Sequence, residues 1–332
     1  MENNEAIKQL LIIGNGFDLY FGLPTTVDRY IEILAGLEMY DGENIIEVYS
    51  NYGVEWNQFE EGFSYLNANE LFQEYCFPVD YTSDYEHDRT SGIFQMEDFV
   101  SELSAARIEA LKLMIYEAEE AILNQEQDHL NLKNTFDNNI VISFNYTSTV
   151  ETFFQPRNFE IFHIHGYYNT NEDNLVFGCK DILKEKMVQT NEELYEKYKK
   201  DFEDIEKSNL SEEAKGWAVA EIENSISYQS DDYYVDAQKN AVNTFYLGLK
   251  KDFQEKELRH FLNQYRDDEI EEVVVLGHSM GEVDRQYMEI IESLVQPKRW
   301  IVSTYDNNPN QTILGSYSFS EKITTCDISS YV

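Results

Sequence analysis

The sequence predicts an α/β fold in which helices cover a doubly wound, mostly parallel sheet. Its apolar runs are rich in Val and Ile and nearly continuous, as in strands that are buried on both faces. A turn with Gly or Asn follows each of the first four runs, and three of these turns lead into a helical pattern. The long stretches between the runs have helical spacing.

Six segments are predicted to form the strands of this sheet. They are widely separated along the 332 residues of the chain, so long connections must join them. In chain order they are Gln9–Ile13, Ile140–Phe144, Phe159–Ile164, Val273–Leu276, Trp300–Ser303 and the weaker Lys322–Ile328.

Two stretches are predicted to be helical insertions that cap the sheet. Residues 36–134 carry a charge of about −18, from 22 acidic and four basic residues, which is typical of a solvated surface. Within them, an apolar stripe predicts a helix over Ser101–Leu123. Residues 181–270 are rich in Glu, Lys and Tyr, and Trp217 and Phe245 are their predicted packing anchors. The core domain then comprises 1–35, 135–180 and 271–332.

The composition excludes several classes of protein. Hydrophobic residues make up 42% of the chain and aromatic residues 14%, unlike an intrinsically disordered polypeptide. The 25 Lys and Arg residues against 63 Asp and Glu residues give a formal net charge of −38. Binding to nucleic acid and adsorption to anionic membranes both require a basic surface, so neither is expected.

Cysteine usage and the N-terminal residues predict a soluble, cytoplasmic protein. Cys76, Cys179 and Cys326 are widely spaced and form no C-x-x-C pair, which favours neither a disulfide framework nor a zinc module. The first residues lack the basic region of a signal peptide. The apolar run that follows them, Leu10–Ile13, is too short to span a membrane.

The turn after the first predicted strand is a candidate ligand site. It reads Gly14-Asn15-Gly16-Phe17-Asp18, and Thr25 follows a Gly-Leu-Pro segment. Glycines directly after a strand let the backbone approach a ligand, and a helix N-terminus favours phosphate. Position 19 is Leu, so the G-x-G-x-x-G fingerprint is incomplete. An ordinary tight turn, with Thr25 or Thr26 as N-cap and Asp28 in a capping box, is the alternative.

Asn145 stands where the second predicted strand ends. Open α/β sheets present their ligand groups at this edge. A side-chain amide both donates and accepts hydrogen bonds, which suits a sugar hydroxyl or an attacking water molecule. The alternative is that Asn145 caps the next helix.

Two histidines follow in the third predicted strand and its turn, Phe162-His163-Ile164-His165-Gly166. Residues two apart on a strand share a face, but no Cys or further His lies nearby as a third zinc ligand. We therefore expect no metal. We expect His165 to face the carboxyl edge of the sheet with a pKa near neutrality, as a general base requires, and His163 to be a packed or supporting residue.

The segment Gly277-His278-Ser279-Met280-Gly281 matches the nucleophile elbow G-x-S-x-G of α/β-hydrolases. In that fold a histidine follows the serine along the chain, but His278 is the last histidine of this sequence. We therefore interpret the segment as a phosphate-binding turn whose backbone N–H groups and serine hydroxyl donate. A serine hydrolase that draws its base from His165 or His260 stays open.

Taken together, these motifs resemble the AbiH family of bacterial phage-abortive-infection proteins. The resemblance runs from the first strand to near residue 290 and implies a role in antiviral defence. It rests on Ile13–Asp18, Gly22–Thr25, Trp56 with Phe59 and Glu60, Phe144–Glu151, His163–Gly166, Gly277–Gly281, and Asp284 with Tyr287.

The same layout resembles the wider sirtuin-like domains, which have a Rossmann-like fold and consume NAD. That resemblance implies NAD as the substrate, with Asn145 and His165 as the catalytic pair. The zinc-binding Cys pairs of protein deacetylases are absent here, so an NAD glycohydrolase is the predicted activity, without a metal. The predicted NAD-binding residues are Gly14, Asn15, Gly16, Asp18, Thr25, Gly277, His278, Ser279 and Asp284.

The resemblance also divides the work within the site. Gly14, Gly16, Gly277 and Ser279 would cradle the pyrophosphate through backbone dipoles, because little basic charge lies near these motifs, and Asp18 or Asp284 would assist at the ribose. A non-catalytic nucleotide sensor that binds a partner protein of a defence system is the alternative function. A homo-oligomer is the other assembly that we consider.

Overall fold

The computed structural model describes residues 9–56, 59–125, 133–169, 175–228, 232–265, 270–304 and 311–331. Six strands form one sheet in which every neighbouring pair is parallel. All six predicted strands are confirmed, each end within one residue, and so is the α/β class. The strands are β1 Gln9–Ile13, β2 Ile140–Ser143, β3 Glu160–His163, β4 Glu272–Leu276, β5 Arg299–Thr304 and β6 Ile323–Asp327.

The strand order is β3-β2-β1-β4-β5-β6, so the chain moves outward from β1 in one direction and then restarts beside it in the other. In the register, Ile13 pairs with Ser143 on one side and with Leu276 on the other. Ser143 in turn pairs with His163. The ends of β1, β2, β3 and β4 therefore meet at one edge, and the reversal between β1 and β4 opens a crevice there.

Both faces of the sheet are covered, which explains the nearly continuous apolar runs. Leu10 and Ile12 of β1 pack into one hydrophobic cluster, and Leu11 and Ile13 pack into another on the opposite face. All four side chains are almost completely buried. A strand with one solvated face would have alternated apolar and polar residues instead.

The described residues also form α-helices and one π-helical turn. The predicted helix over Ser101–Leu123 is confirmed as part of a longer helix, α5. In chain order the α-helices are α1 Asn15–Tyr20, α2 Val27–Ala35, α3 Gly42–Asn51, α4 Ala68–Tyr75, α5 Glu86–Asn124, α6 Lys133–Phe136, α7 Asn191–Lys207, α8 Glu212–Tyr228, α9 Tyr233–Leu247, α10 Glu255–Asn263, α11 Arg285–Val295, α12 Gln311–Gly315 and α13 Ile328–Tyr331, and the π-helical turn is Val150–Phe154.

The two predicted insertions share one hydrophobic core. Helix α5 packs against α2 and α9, and the buried side chains of Tyr30, Tyr49, Leu103 and Phe245 meet in a single cluster. The prediction that Phe245 anchors this packing is confirmed. This packing does not fix the exact ends of the insertions, so the boundaries 36–134 and 181–270 stay predictions.

The prediction that Trp217 is a packing anchor is wrong, because this side chain is 75% exposed. Trp217 lies on α8, which packs against α7. Ala218 and Ile222 line a surface cavity together with Ile205 of α7. Each residue advances about 100° around an α-helix, so Trp217 points away from that contact.

Two further expectations concern the cysteines and the membrane. Cys76, Cys179 and Cys326 form no disulfide bond within the described part of the chain. Within the described ranges, no helix has both the length and the apolar character that crossing a bilayer requires.

Candidate functional site

A cavity of about 310 Å³ lies at the carboxyl edge of the sheet. All the predicted site residues except Gly14 line it, although they are spread over most of the chain. They are Asn15, Gly16, Asp18, Thr25, Asn145, His165, Gly277, His278, Ser279 and Asp284. Parallel strands end at a common edge, and this brings the four predicted motifs together.

The two glycine turns at this edge pack directly against each other. The N–H of Gly14 donates to the carbonyl of Leu276 at 3.0 Å, and the N–H of Gly16 donates to that of Gly277 at 2.7 Å. A Cβ on Gly14 would lie 2.6 Å from the Cα of His278, and one on Gly16 would lie 2.7 Å from the oxygen of Gly277. The close contact of the turns therefore accounts for these glycines, and their N–H groups are already used inside the protein.

Helix α2 settles the capping alternative at the first turn. Its N-cap is Thr26, whose hydroxyl accepts a hydrogen bond from the N–H of Arg29 at 3.1 Å. Thr25 instead lines the cavity, and its backbone carbonyl accepts from the side-chain amide of Asn15 at 2.9 Å. The hydroxyl of Thr25 is buried and has no hydrogen-bond partner among the described residues.

The side chain of Asn145 donates to the turn after β1 and has one acceptor without a partner among the described residues. Its Nδ2 donates to the carbonyl of Gly14 at 3.1 Å, whereas its buried Oδ1 has no partner in the described part of the chain. The helix-capping alternative for Asn145 is wrong, because the N-cap of the following helical turn is Thr149. A buried acceptor without a donor is costly, so a ligand that donates to Oδ1 would be favoured.

His163 packs behind Asn145, as expected. Its Nδ1 lies 3.1 Å from the carbonyl oxygen of Asn145, and its Nε2 lies 2.8 Å from Oε1 of Glu151. Both ring nitrogens are thus engaged away from the cavity. The ring holds the backbone of Asn145 in place.

His165 faces a cluster of buried charges whose cation, Lys251, the sequence motifs did not reveal. Its Nε2 lies 3.4 Å from Nζ of Lys251 and 3.6 Å from Oδ1 of Asp284. Nζ of Lys251 also contacts Oδ1 of Asp284 at 2.9 Å and Oε2 of Glu60 at 3.1 Å. The side chain of Lys251 is only 3% exposed. Lys251 therefore contacts two carboxylates of the cavity wall without lining the cavity itself.

The pKa of His165 differs from the value near neutrality that the sequence predicts. Burial and the positive charge of Lys251 lower the pKa of His165 to about 3, so its imidazole is neutral at pH 7. Burial alone would raise the pKa of Asp284, but the hydrogen bond from His278 and the charge of Lys251 outweigh it and lower this pKa. Burial raises the pKa of Glu60 although Lys251 opposes the shift. His165 is therefore a weak base in the free site.

The Gly277–Gly281 segment does not have the geometry of a nucleophile elbow. The positive φ angles fall at Gly277 (68°) and Met280 (53°), whereas Ser279 itself has none. Nδ1 of His278 accepts from the N–H of Met280 at 2.9 Å, and its Nε2 lies 3.2 Å from Oδ2 of Asp284. No hydrogen bond of the described residues joins Ser279 to a histidine, so nothing there activates its hydroxyl.

Asp18 is a buried carboxyl group in the wall of the cavity. Its oxygens accept hydrogen bonds from the hydroxyls of Thr147 and Thr149, each at 2.6 Å. Burial nevertheless raises the pKa of Asp18 from 3.8 to about 6. The folded chain thus binds this proton more tightly than the unfolded chain, and ionisation of Asp18 destabilises the fold as the pH rises from about 4 to about 6.

We expect Asp18→Asn to remove this pH dependence. Relative to the variant, the unmodified protein should lose about 2–3 kcal/mol of unfolding free energy between about pH 4 and about pH 7. Urea denaturation at both pH values measures the difference. Asp28→Asn, which removes an exposed carboxyl group at the start of α2, is the control. An equal pH dependence in the unmodified protein and in Asp18→Asn would contradict the expectation.

The site offers no arrangement for a metal ion within the described ranges. No group of three or more His, Cys, Asp and Glu side chains there is placed to hold one. The ammonium of Lys251 lies between the carboxylates of Glu60 and Asp284 instead.

Fold and site together define an α/β protein with a cavity at the carboxyl edge of a six-stranded parallel sheet. Residues 10–305 match the family model described as "Bacteriophage abortive infection AbiH". The chain therefore belongs to the AbiH family, which places it in abortive-infection defence against phages. No curated protein matches the chain.

Proposed function

We propose that this AbiH protein is an NAD glycohydrolase that cleaves NAD to nicotinamide and ADP-ribose. The observation that carries the proposal is the placement of Asn145 and His165 just after the ends of adjacent strands, on one cavity. Oδ1 of Asn145 is buried there and has no partner among the described residues. The strand order supports a Rossmann-like core, because dinucleotide-binding doubly wound sheets have the order 3-2-1-4-5-6.

The reaction breaks the bond between C1′ of the ribose and the pyridinium nitrogen. The bonding electron pair moves to that nitrogen, so nicotinamide leaves as a neutral molecule and needs no general acid. A water oxygen then bonds to C1′, and one proton is released. The protein has to hold the ribose, place the water and stabilise the positive charge that develops on the sugar.

The residues of the site suit these tasks. Oδ1 of Asn145 accepts a hydrogen bond from a ribose hydroxyl or from the attacking water. His165 is neutral and acts as a hydrogen-bonding partner at the ribose, because its lowered pKa makes it a weak base. The carboxylates of Asp18 and Asp284 stabilise the oxocarbenium-like charge.

We expect Asn145→Ala and His165→Ala each to lower the rate of NAD cleavage by about 100-fold or more. Ser279→Ala should retain the activity, because Ser279 is exposed and makes no hydrogen bond to a histidine among the described residues. The measurement incubates the purified protein with NAD and separates nicotinamide and ADP-ribose by chromatography. Loss of activity in Ser279→Ala alone, together with ester hydrolysis by the unmodified protein, would favour a serine hydrolase instead.

A non-catalytic nucleotide sensor is the second candidate. The low pKa of His165 favours it, because the free site lacks a strong base at this position. Calorimetric binding of NAD without any release of nicotinamide would identify this function.

A further inference from the structure

The cavity wall is acidic. Among its described lining residues, four carboxyl side chains and no Lys or Arg face the space: Asp18, Glu60, Glu61 and Asp284. Lys251 is not a lining residue and already contacts both Glu60 and Asp284. One ammonium among these four carboxyl groups leaves an excess of negative charge at the cavity, and a concave wall of one sign concentrates that potential.

The backbone N–H groups of Gly14, Gly16 and Gly277, which a phosphate would use, already donate within the protein. The N–H groups of Gly14 and Gly16 donate across the two turns, that of Phe17 donates to the carbonyl of Gly14 at 2.8 Å, and that of Gly277 donates to Oγ of Ser303 at 2.9 Å. The expectation that Gly14, Gly16 and Gly277 cradle a pyrophosphate through these groups therefore lacks free donors.

Two buried oxygens at the cavity have no hydrogen-bond partner among the described residues. They are Oδ1 of Asn145, a residue that is 5% exposed, and Oγ1 of Thr25, a residue that is 7% exposed. An amide oxygen only accepts hydrogen bonds. The cavity thus offers acceptors and negative charge, and its complement is a ligand group with hydroxyl donors and positive charge.

We infer that the cavity recognises the ribosyl-pyridinium cation of its substrate and leaves the phosphates outside. Pyridinium ribonucleosides that carry no phosphate, such as nicotinamide riboside, are then substrates in their own right. The ribose hydroxyls donate to Asn145, and the pyridinium charge lies among the carboxylates. The cleavage part of this inference rests on the proposed NAD glycohydrolase activity, whereas the binding part does not.

The reaction with nicotinamide riboside is balanced without another reagent. The C1′–N bond breaks, and its electron pair stays on the ring nitrogen. The oxygen of water forms the new bond to C1′. The cation and water thus yield neutral nicotinamide, ribose and one proton.

The test compares phosphate-free and phosphate-bearing ligands on the full chain. We expect kcat/KM for nicotinamide riboside to lie within about tenfold of kcat/KM for NAD, and inorganic pyrophosphate not to inhibit. A value for nicotinamide riboside more than about 100-fold below that for NAD, or competitive inhibition by pyrophosphate, would overturn the inference while leaving the NAD glycohydrolase standing.

A binding measurement decides the inference even if neither compound is cleaved, which would remove only the proposed activity. Isothermal calorimetry should detect nicotinamide riboside, and its Kd should rise by roughly threefold to tenfold in Glu61→Gln and in Asp18→Asn, because each removes one carboxyl group from the wall. Glu43→Gln, an exposed change of the same kind on α3, should leave Kd unchanged. Equal Kd values in all four proteins, or no binding, would overturn the inference.

Discussion

Gly277→Ala is expected to lower the free energy of unfolding by about 2–5 kcal/mol, through a left-handed backbone and a steric clash. Gly277 has a φ angle of 68°, which disfavours any residue with a Cβ. That Cβ would also lie 2.0 Å from the backbone nitrogen of Phe17 and 2.8 Å from its Cα. Both atoms belong to the backbone, so no side-chain rotation relieves the contact, and the β1 and β4 turns have to separate.

Chemical denaturation of Gly277→Ala measures this loss, and Gly281→Ala is the matched control. A Cβ on Gly281 has one near neighbour, Oγ of Ser279 at 3.4 Å, and the φ angle of Gly281 is −68°. The control should therefore change the unfolding free energy by less than about 1 kcal/mol. Similar stabilities of the two variants would show that the turns do not depend on their close packing.

Lys251→Met is expected to lower the unfolding free energy by about 3–5 kcal/mol, because it leaves buried carboxylates without their cation. Glu60 and Asp284 each lie within about 3 Å of Nζ in the native protein. Burial raises the pKa of Glu60 even in the presence of Lys251, so the loss of this charge adds to an existing desolvation cost.

The neighbouring lysine provides the control for this change. The side chain of Lys250 is 52% exposed, and its Nζ lies 3.6 Å from Oδ1 of Asp181. Lys250→Met should therefore change the unfolding free energy by less than about 0.5 kcal/mol. In Lys251→Met/Glu60→Gln part of the lost stability should return, since one unpaired charge is gone. If urea denaturation gives the same loss for Lys250→Met and Lys251→Met, the buried ion cluster does not stabilise the fold.

The sheet and the edge that carries the candidate site could be predicted because strong local patterns encode them. Runs such as Val273–Leu276 are continuously apolar because both faces of the sheet are covered. Once the strands are known to be parallel, their ends must share an edge, and Asn145 and His165 come together there.

Lys251 could not be predicted, because its role depends on contacts between distant segments. It lies 191 residues after Glu60 along the chain, and no local pattern distinguishes it from Lys250. The pKa of His165 depends on the same cluster and on burial, so a pKa near neutrality was the natural expectation from sequence. The prediction for Trp217 is wrong because aromatic character alone does not show which face of a helix is covered.

The central position of β1 has a consequence for how the chain is made. The side chain of Gln9 in β1 donates to Glu272 of β4, which lies 263 positions further along the chain, so the middle of the sheet joins the first described residue to the fourth strand. At synthesis rates of roughly 5–20 residues per second, β1 waits roughly 10–50 s for that partner. Pairing over such separations also slows folding. The nascent chain therefore contains an apolar, incompletely paired strand during most of its synthesis. The cavity at the sheet edge cannot form before β4 has been synthesised.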